Sequence, residues 1–373
     1  MEKCLMYVGL DVDDNFFHAC GIESASEKES YFKCKANISV LVKKLKKLQV
    51  ESGCDLKICY EATYLGFSLY RKLKEQGFHC DVIAPSLIPE VVGKRVKTDR
   101  LDCRKLAQFY MKGLLTVVHV PDGEEERVRD LIRSRRFLTH QVRHLKCHIL
   151  ALCRRHGMNY KEYTGKNTAA YWCNPHLEWL RKEILNIKDK NLSLNITYLL
   201  HTLGHLQEQA DLYEKHIEEI AETKKYEKSL KALICYRGID TLTAMTLITE
   251  LGDINRFNHP KKLASYAGID LTEYSSGGKE KRYGITKTGN KRIRTAVVES
   301  CQLAWYPPRL SKRLLDKRKN IDPKLVNIAD RCMHRLYKKS LRLIRSGKQK
   351  NKIKVAAARE MLCFVWESLK AAA

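Results

Sequence analysis

The sequence predicts an α/β domain built on a mixed sheet, followed by a mostly helical region. Three observations lead there. Three apolar, strand-like runs follow one another in the first 36 residues, joined by short polar turns. Helical and strand patterns then alternate up to a helix that opens near Thr98, as in a sheet flanked by helices. Beyond Glu124 the apolar residues recur at helical spacing over long segments.

Taken in order, strands are expected at 5–12, 15–22 and 30–36. A helix follows from Ile38 to about Val50, with Leu41, Val42, Leu45 and Leu48 as its apolar stripe. A strand at 55–60, a helix from about Gly66 to Gln76, a strand at 79–84 and the helix from Thr98 complete the set. This order matches the ribonuclease H-like arrangement, in which the first strand is central and the fourth lies beside it. Asp11 and Glu61 would then be neighbours. Asp99 and Asp102, three apart on one helix face, can point at the same spot.

Those four acids carry the chemistry. Asp11 interrupts the apolar run Leu5–Leu10, and Glu61 directly follows Leu56-Lys57-Ile58-Cys59-Tyr60. A carboxylate inside or just beyond an apolar strand loses solvation and needs a partner or a cation. Singly, each reads as a turn or cap residue. Converging, they suit two-metal phosphoryl transfer, with two Mg2+ ions about 4 Å apart clamping the attacking and leaving oxygens of a phosphodiester.

A long basic helix is expected from Glu124 to about His156, ending at Gly157. His140, His144 and His148 recur on it beside Cys147, but the flanking Arg133, Arg135, Arg136, Arg143 and Lys146 make it a helix facing nucleic acid; no metal is assigned there. Ile196, Leu199, Leu203, Leu206, Ala210, Tyr213, Ile217 and Ile220 alternate by three and four, the heptad pattern of a coiled coil, formed either between molecules or as an antiparallel hairpin. From Ile234 to Leu251 the chain resembles the second half of a helix-hairpin-helix, whose helix N-terminus can hold a backbone phosphate. A loop, Glu273-Tyr274-Ser275-Ser276-Gly277-Gly278, comes next. After it the cations Lys279, Lys281, Arg282, Lys287, Lys291, Arg292 and Arg294 face the single acid Glu280. Ser276, bracketed by a phosphate-binding hairpin and a basic arm, is a candidate nucleophile that a base or metal must activate. The last fifty residues read as basic helices ending in an apolar one through Met361 and Trp366.

Composition narrows the partners. The net charge of +26 over 373 residues points first to nucleic acid and second to an anionic membrane surface. No apolar run approaches the roughly 20 residues of a membrane span, and the N-terminus reads as a strand, not a signal peptide. The expected location is cytoplasmic, on nucleoid DNA when bound. The fourteen cysteines form no Cys-x-x-Cys pair and read as reduced, mostly buried thiols.

The ordered set Gly9-Leu10-Asp11, Tyr60-Glu61-Ala62-Thr63, Lys97-Thr98-Asp99-Arg100-Leu101-Asp102, Gly238-Ile239, Phe257, Ala267-Gly268, Ser276-Gly277 and Thr286-Lys287-Thr288-Gly289-Asn290 resembles the DEDD transposases of bridge-RNA-guided insertion sequences. The resemblance covers nearly the whole chain. It implies a ribonuclease H/RuvC-like DEDD domain with its basic helix at 1–158, a coiled-coil linker at 159–228 and a transposase domain at 229–373. It implies a site-specific recombinase: Asp11, Glu61, Asp99 and Asp102 hold Mg2+, and Ser276 (or the adjacent Ser275) forms a phosphoserine link to DNA. Donor and target DNA would be chosen by a structured non-coding guide RNA, bound on the basic helix and the C-terminal helices. The protein would be a homodimer, and a tetramer on DNA. The chain departs from the family pattern at Arg237, where proline is common, and in a longer segment at 157–190. Two other classes fit the residues: a metal-dependent, structure-selective nuclease resembling Holliday-junction resolvases, with no covalent intermediate, and a non-enzymatic nucleic-acid-binding protein.

Overall fold

The structure, a computed structural model, describes residues 4–89, 98–165, 168, 170–276 and 279–373, with only the backbone described at 274–276 and 279–282. It divides into two compact units, Met1–Pro121 and Asp122–Ala373.

In the first unit β1 (Leu5–Val12), β2 (Phe16–Glu23), β3 (Glu29–Lys35), β4 (Asp55–Glu61) and β5 (His79–Ile83) form one sheet in the order β3-β2-β1-β4-β5. β1 runs antiparallel to β2 and parallel to β4, so it is central. Alternation along the strands divides their side chains between two faces. Met6, Val8, Leu10, Leu56, Ile58 and Tyr60 join the core beneath α1 (Ile38–Ser52) and α2 (Ser68–Glu75). The other face is covered by α3 (Asp99–Met111), through Cys103, Leu106 and Ala107. A central strand covered on both sides is apolar throughout, which is why Asp11 stands out in β1. Cys4 and Cys54 are joined by a disulfide, which corrects the expectation of thiols throughout; among the described residues the other twelve cysteines are free.

The second unit opens with α4 (Gly123–Arg155), capped by the Asp122 carboxylate on the Glu125 amide at 2.7 Å. Its first turn carries Glu124–Glu126 and its last Arg154 and Arg155, each sign matching the helix dipole at its own end. After α5 (Tyr160–Thr164) and α6 (Asn174–Asn186) comes α7 (Lys190–Ala221). α4 and α7 pack antiparallel: Val128 and Ile132 share a core with Ile217 and Ala221, while Ile149 and Leu152 share another with Ile196 and Leu203. Ile196, Leu203, Ala210 and Ile217 are buried, and Leu199, Leu206, Tyr213 and Ile220 half-buried. The seven-residue series thus finds a partner within the chain. The expected boundary at 158 falls at the end of α4, but packing groups the whole of α4 with the second unit.

The remaining elements are α8 (Glu227–Ile234), α9 (Thr241–Leu251), α10 (Pro260–Tyr266), β6 (Leu271–Ser276), β7 (Lys279–Ile285), α11 (Lys291–Ser300), α12 (Lys312–Lys317), α13 (Pro323–Arg345) and α14 (Lys350–Ala372). Leu233, Met245, Leu251, Ile293, Val297 and Leu362 are fully buried at their centre. The segment expected to be a loop before Gly277 is instead β6, paired antiparallel with β7. Its sequence, LTEYSS against KEKRYGI, carries too little apolar alternation to read as a strand pair. Among the described residues no helix is long and apolar enough to cross a membrane.

Candidate active site

The acidic face of the first unit follows from strand register. Leu10 pairs with Tyr60 in the parallel β1–β4 ladder, and Asp11 and Glu61 each stand one residue further on. With a side-chain period of two, Asp11 shares the face of Gly9, and Glu61 that of Cys59. That is the face α3 covers: the Cys59 thiol reaches the Leu106 carbonyl at 4.0 Å. A Cβ on Gly9 would collide with the Cys103 carbonyl and stand 2.6 Å from the Ala107 amide. α3 therefore lies on the β1 backbone, and glycine is what admits it.

The helix brings its own acids to the same end. Thr98 caps α3 by accepting from the Leu101 amide at 3.3 Å. Asp99, Asp102, Cys103 and Leu106 follow at i, i+3, i+4 and i+7, one stripe facing the sheet. Burial pushes the Cys103 thiol up to about 12, and the charges of Cys20 and Asp11 act in the same direction, so Asp11 stands close to the residue that follows Asp102.

His18 was not singled out in the sequence. It is paired with Asp11 across the β1–β2 ladder. Its Nε2 lies 3.3 Å from Asp99 Oδ2 and its Nδ1 2.7 Å from the Tyr31 hydroxyl. The tautomer with its proton on Nε2 donates to Asp99 and accepts from Tyr31, which fixes the ring. One histidine in an alternating strand gives no sequence signal; the register with Asp11 does.

The acids occupy one end of one face without being drawn into a closed ligand set. Among the described residues no three His, Cys, Asp or Glu side chains gather tightly enough to hold an ion. Neighbouring carboxylates repel, and Asp99 turns to His18. The donor chemistry nevertheless fits magnesium: all four are hard oxygen ligands, and Mg2+ keeps several waters and takes one or two carboxylates together with substrate phosphates.

In the second unit, Ser276 ends β6 opposite Lys279, and Gly277 lies outside the described residues. The base of this hairpin is held by backbone. The Thr286 amide donates to the Asp270 carbonyl at 2.8 Å, Lys287 to Gly268 at 3.1 Å and Asn290 to Tyr266 at 2.7 Å. Gly268 has φ +64°, and a Cβ there would strike the Thr288 carbonyl. Asn290 caps α11 and donates through Nδ2 to Glu250 at 2.8 Å. Glu250 is buried and gripped by the Arg133 fork at 2.8 and 3.0 Å. Burial alone would raise its pKa, but the Arg133 and Asn290 bonds hold it below the usual carboxylate range.

Of the basic stretch, Lys287, Lys291 and Arg292 are exposed. Arg294 donates to the Ala267 carbonyl at 2.8 Å and so helps brace the hairpin base. The side chains of Lys279, Lys281 and Arg282 lie outside the described residues. The helix N-terminus expected to hold a phosphate begins at Asp240, whose carboxylate already accepts from the Thr243 amide at 2.8 Å. An anion is therefore supplied by the chain itself. Arg237 donates to the carbonyls of Leu303 at 2.7 Å and Pro307 at 2.8 Å, which explains a cation in a turn where proline is common.

Residues 8–157 match the family model for DEDD transposases of IS110 type, described as a transposase, and residues 231–314 match the model for the transposase IS116/IS110/IS902 family. The chain is 36% identical over 312 residues to the putative transposase y4qE of Sinorhizobium fredii, across 83% of this chain and 74% of that one. The chain belongs to the IS110/IS116 family of transposases. The transposase is also similar to that of insertion sequence element IS1533 from Leptospira borgpetersenii, 28% identical across 90% of this chain and 96% of that one. With that of IS1111A from Coxiella burnetii it shares 24% identity, across 80% and 78%. The first matched region takes in the whole acidic face and α4; the second takes in α9, the β6–β7 hairpin and α11. As a DNA transposase, the protein is an enzyme acting on DNA.

Proposed function

We propose that this transposase recombines DNA through a covalent phosphoserine intermediate on Ser276, assisted by Mg2+ at the acidic face and directed by a structured RNA. The observation that carries the reading is the setting of Asp11 and Glu61 one step past a paired position on adjacent strands, beneath the first turn of α3. This is the ribonuclease H/RuvC-like placement of a DEDD set. Asp11, Glu61, Asp99 and Asp102 would hold the metal, most simply two ions, whose charge offsets the negative charge that develops on a displaced sugar oxygen. His18 keeps Asp99 oriented. Ser276 loses its proton as its Oγ bonds to a backbone phosphorus; the phosphorus–sugar oxygen bond breaks, and the sugar oxygen leaves with a proton. The phosphoserine retains the energy of the phosphodiester, so attack by a sugar hydroxyl rejoins the strand and frees the serine without ATP.

RNA guidance, a homodimer that becomes a tetramer on DNA, and a cytoplasmic, nucleoid-associated location belong to the same proposal. They are supported by the resemblance to bridge-RNA-guided elements, the net charge and the heptads.

The test is covalent trapping on DNA carrying an element end, with RNA transcribed from the element added. A denaturation-resistant protein–DNA adduct is expected from the wild type and from Ser275→Ala, and none from Ser276→Ala. Asp11→Asn and Glu61→Gln should lose strand cleavage as well. DNA cleavage undiminished in Ser276→Ala would establish the metal-dependent nuclease instead.

A further inference from the structure

We propose that the cleft between α4, α9 and α11 seats two successive phosphates of a nucleic-acid backbone, gripped by Arg136 and Arg143. The inference deepens the reading above and rests on it. The cleft, of about 260 Å³, is walled by Arg133, Arg135, Arg136, His140, Arg143 and Arg292 over an apolar floor that includes Ile132 and Ile217. These cations differ in what they are free to do. Arg133 is committed to the buried Glu250, and Arg135 to Glu214. Arg136, His140 and Arg143 face the same opening with no carboxylate partner among the described residues. Arg292 lies 3.7 Å from Glu250, which Arg133 already occupies. Burial and the nearby charges of Arg133 and Arg136 press its pKa down. Like charges gathered in a concave, partly desolvated place favour an anion as occupant. Guanidinium forks suit phosphate oxygens.

The spacing selects a polymer over a single ion. Arg136 and Arg143 are seven residues apart on one helix, hence ~10 Å along its axis. One inorganic phosphate cannot be shared across that span, whereas a strand with regularly repeated phosphates offers a group to each. The chemistry is common to DNA and RNA, so the two are separated by experiment.

The full-length chain is titrated with a DNA duplex from an element end and, separately, with the structured RNA, from about 50 to 200 mM salt. The variants are Arg136→Gln/Arg143→Gln and Arg136→Lys/Arg143→Lys. In the arm that uses the cleft, the glutamine pair should flatten the slope of log affinity against log salt by roughly two, one for each phosphate released, and weaken binding roughly tenfold per arginine near 0.1 M salt. The lysine pair should keep the slope, because it keeps the charges; that comparison separates a lost contact from a misfolded chain. A change with DNA alone identifies a donor or target strand, and a change with RNA alone the guide. An unchanged slope in both arms for the glutamine pair overturns the cleft while leaving the transposase chemistry standing. Binding by the wild type that ignores salt would overturn both.

Discussion

At Gly9 the backbone of β1 and the third turn of α3 approach within the width of a methyl group, and the acidic face depends on that approach. A Cβ there meets backbone atoms of Cys103 and Ala107, which cannot swing aside. Gly9→Ala should therefore lift α3 from the sheet. Overpacking of this kind costs about 1–3 kcal/mol. It should also displace Asp99 and Asp102 from Asp11, so strand cleavage should fall further than stability does. Chemical denaturation and a cleavage assay, run on the same preparation, check both halves; full activity with an unchanged unfolding midpoint would contradict the packing argument. His18 acts at the same scale, as a clamp on Asp99 from the strand that pairs with Asp11.

Between elements, the α4–α7 pairing is the largest structure of the second unit that the heptads alone left undecided. Leu203 is buried against α4 and sits in the cluster formed by Ile149, Leu152 and Trp179. Leu203→Ala should destabilise the second unit by about 2–5 kcal/mol, from lost transfer energy and the cavity left behind. Tyr198, 64% exposed on the same helix, supplies the control: Tyr198→Ala should change the unfolding midpoint by less than about 0.5 kcal/mol. Equal effects from the two substitutions would mean that α7 is packed some other way. The hairpin β6–β7 shows the opposite balance, since its strands contribute little to the core and are held by backbone bonds at the base.

Over the whole molecule, acid and base act on different groups. Burial lowers the pKa of His176 from its ordinary 6.5, so below that pH the unfolded chain takes up a proton that the folded chain resists, and stability declines. Burial would raise Glu360, but its bonds to Arg335 and Lys339 bring it to about 2. Its contribution is complete above 4.5 and is lost as pH falls toward 2. On the alkaline side burial pushes the thiols of Cys80, Cys103 and Cys301 up to about 12. The unfolded chain then ionises first, and stability falls as pH rises above 9.0. Thermal melting followed across pH 3 to 11 should show a plateau from about 6.5 to 9 with a loss on each side. A midpoint still climbing above pH 9 would refute the buried-thiol account.

Local pattern determined the elements. Each strand of the first unit and the stripe Leu41, Val42, Leu45 and Leu48 of α1 fall where alternation and helical spacing set them, because burial of one face leaves a periodic trace in the chain. The four acids were legible for the same reason, as polar residues breaking apolar runs. Tertiary structure decided what has no such trace. His18 matters through the residue beside it on another strand, β6 and β7 are joined by backbone bonds that place no demand on side-chain polarity, and Asp240 occupies the helix end that seemed open to phosphate. It also sorted the arginines of α4: Arg133 and Arg136 are three residues apart in one basic run, and only the fold shows that Glu250, far along the chain, takes the first. Periodicity records which side of an element is buried, not what it meets there.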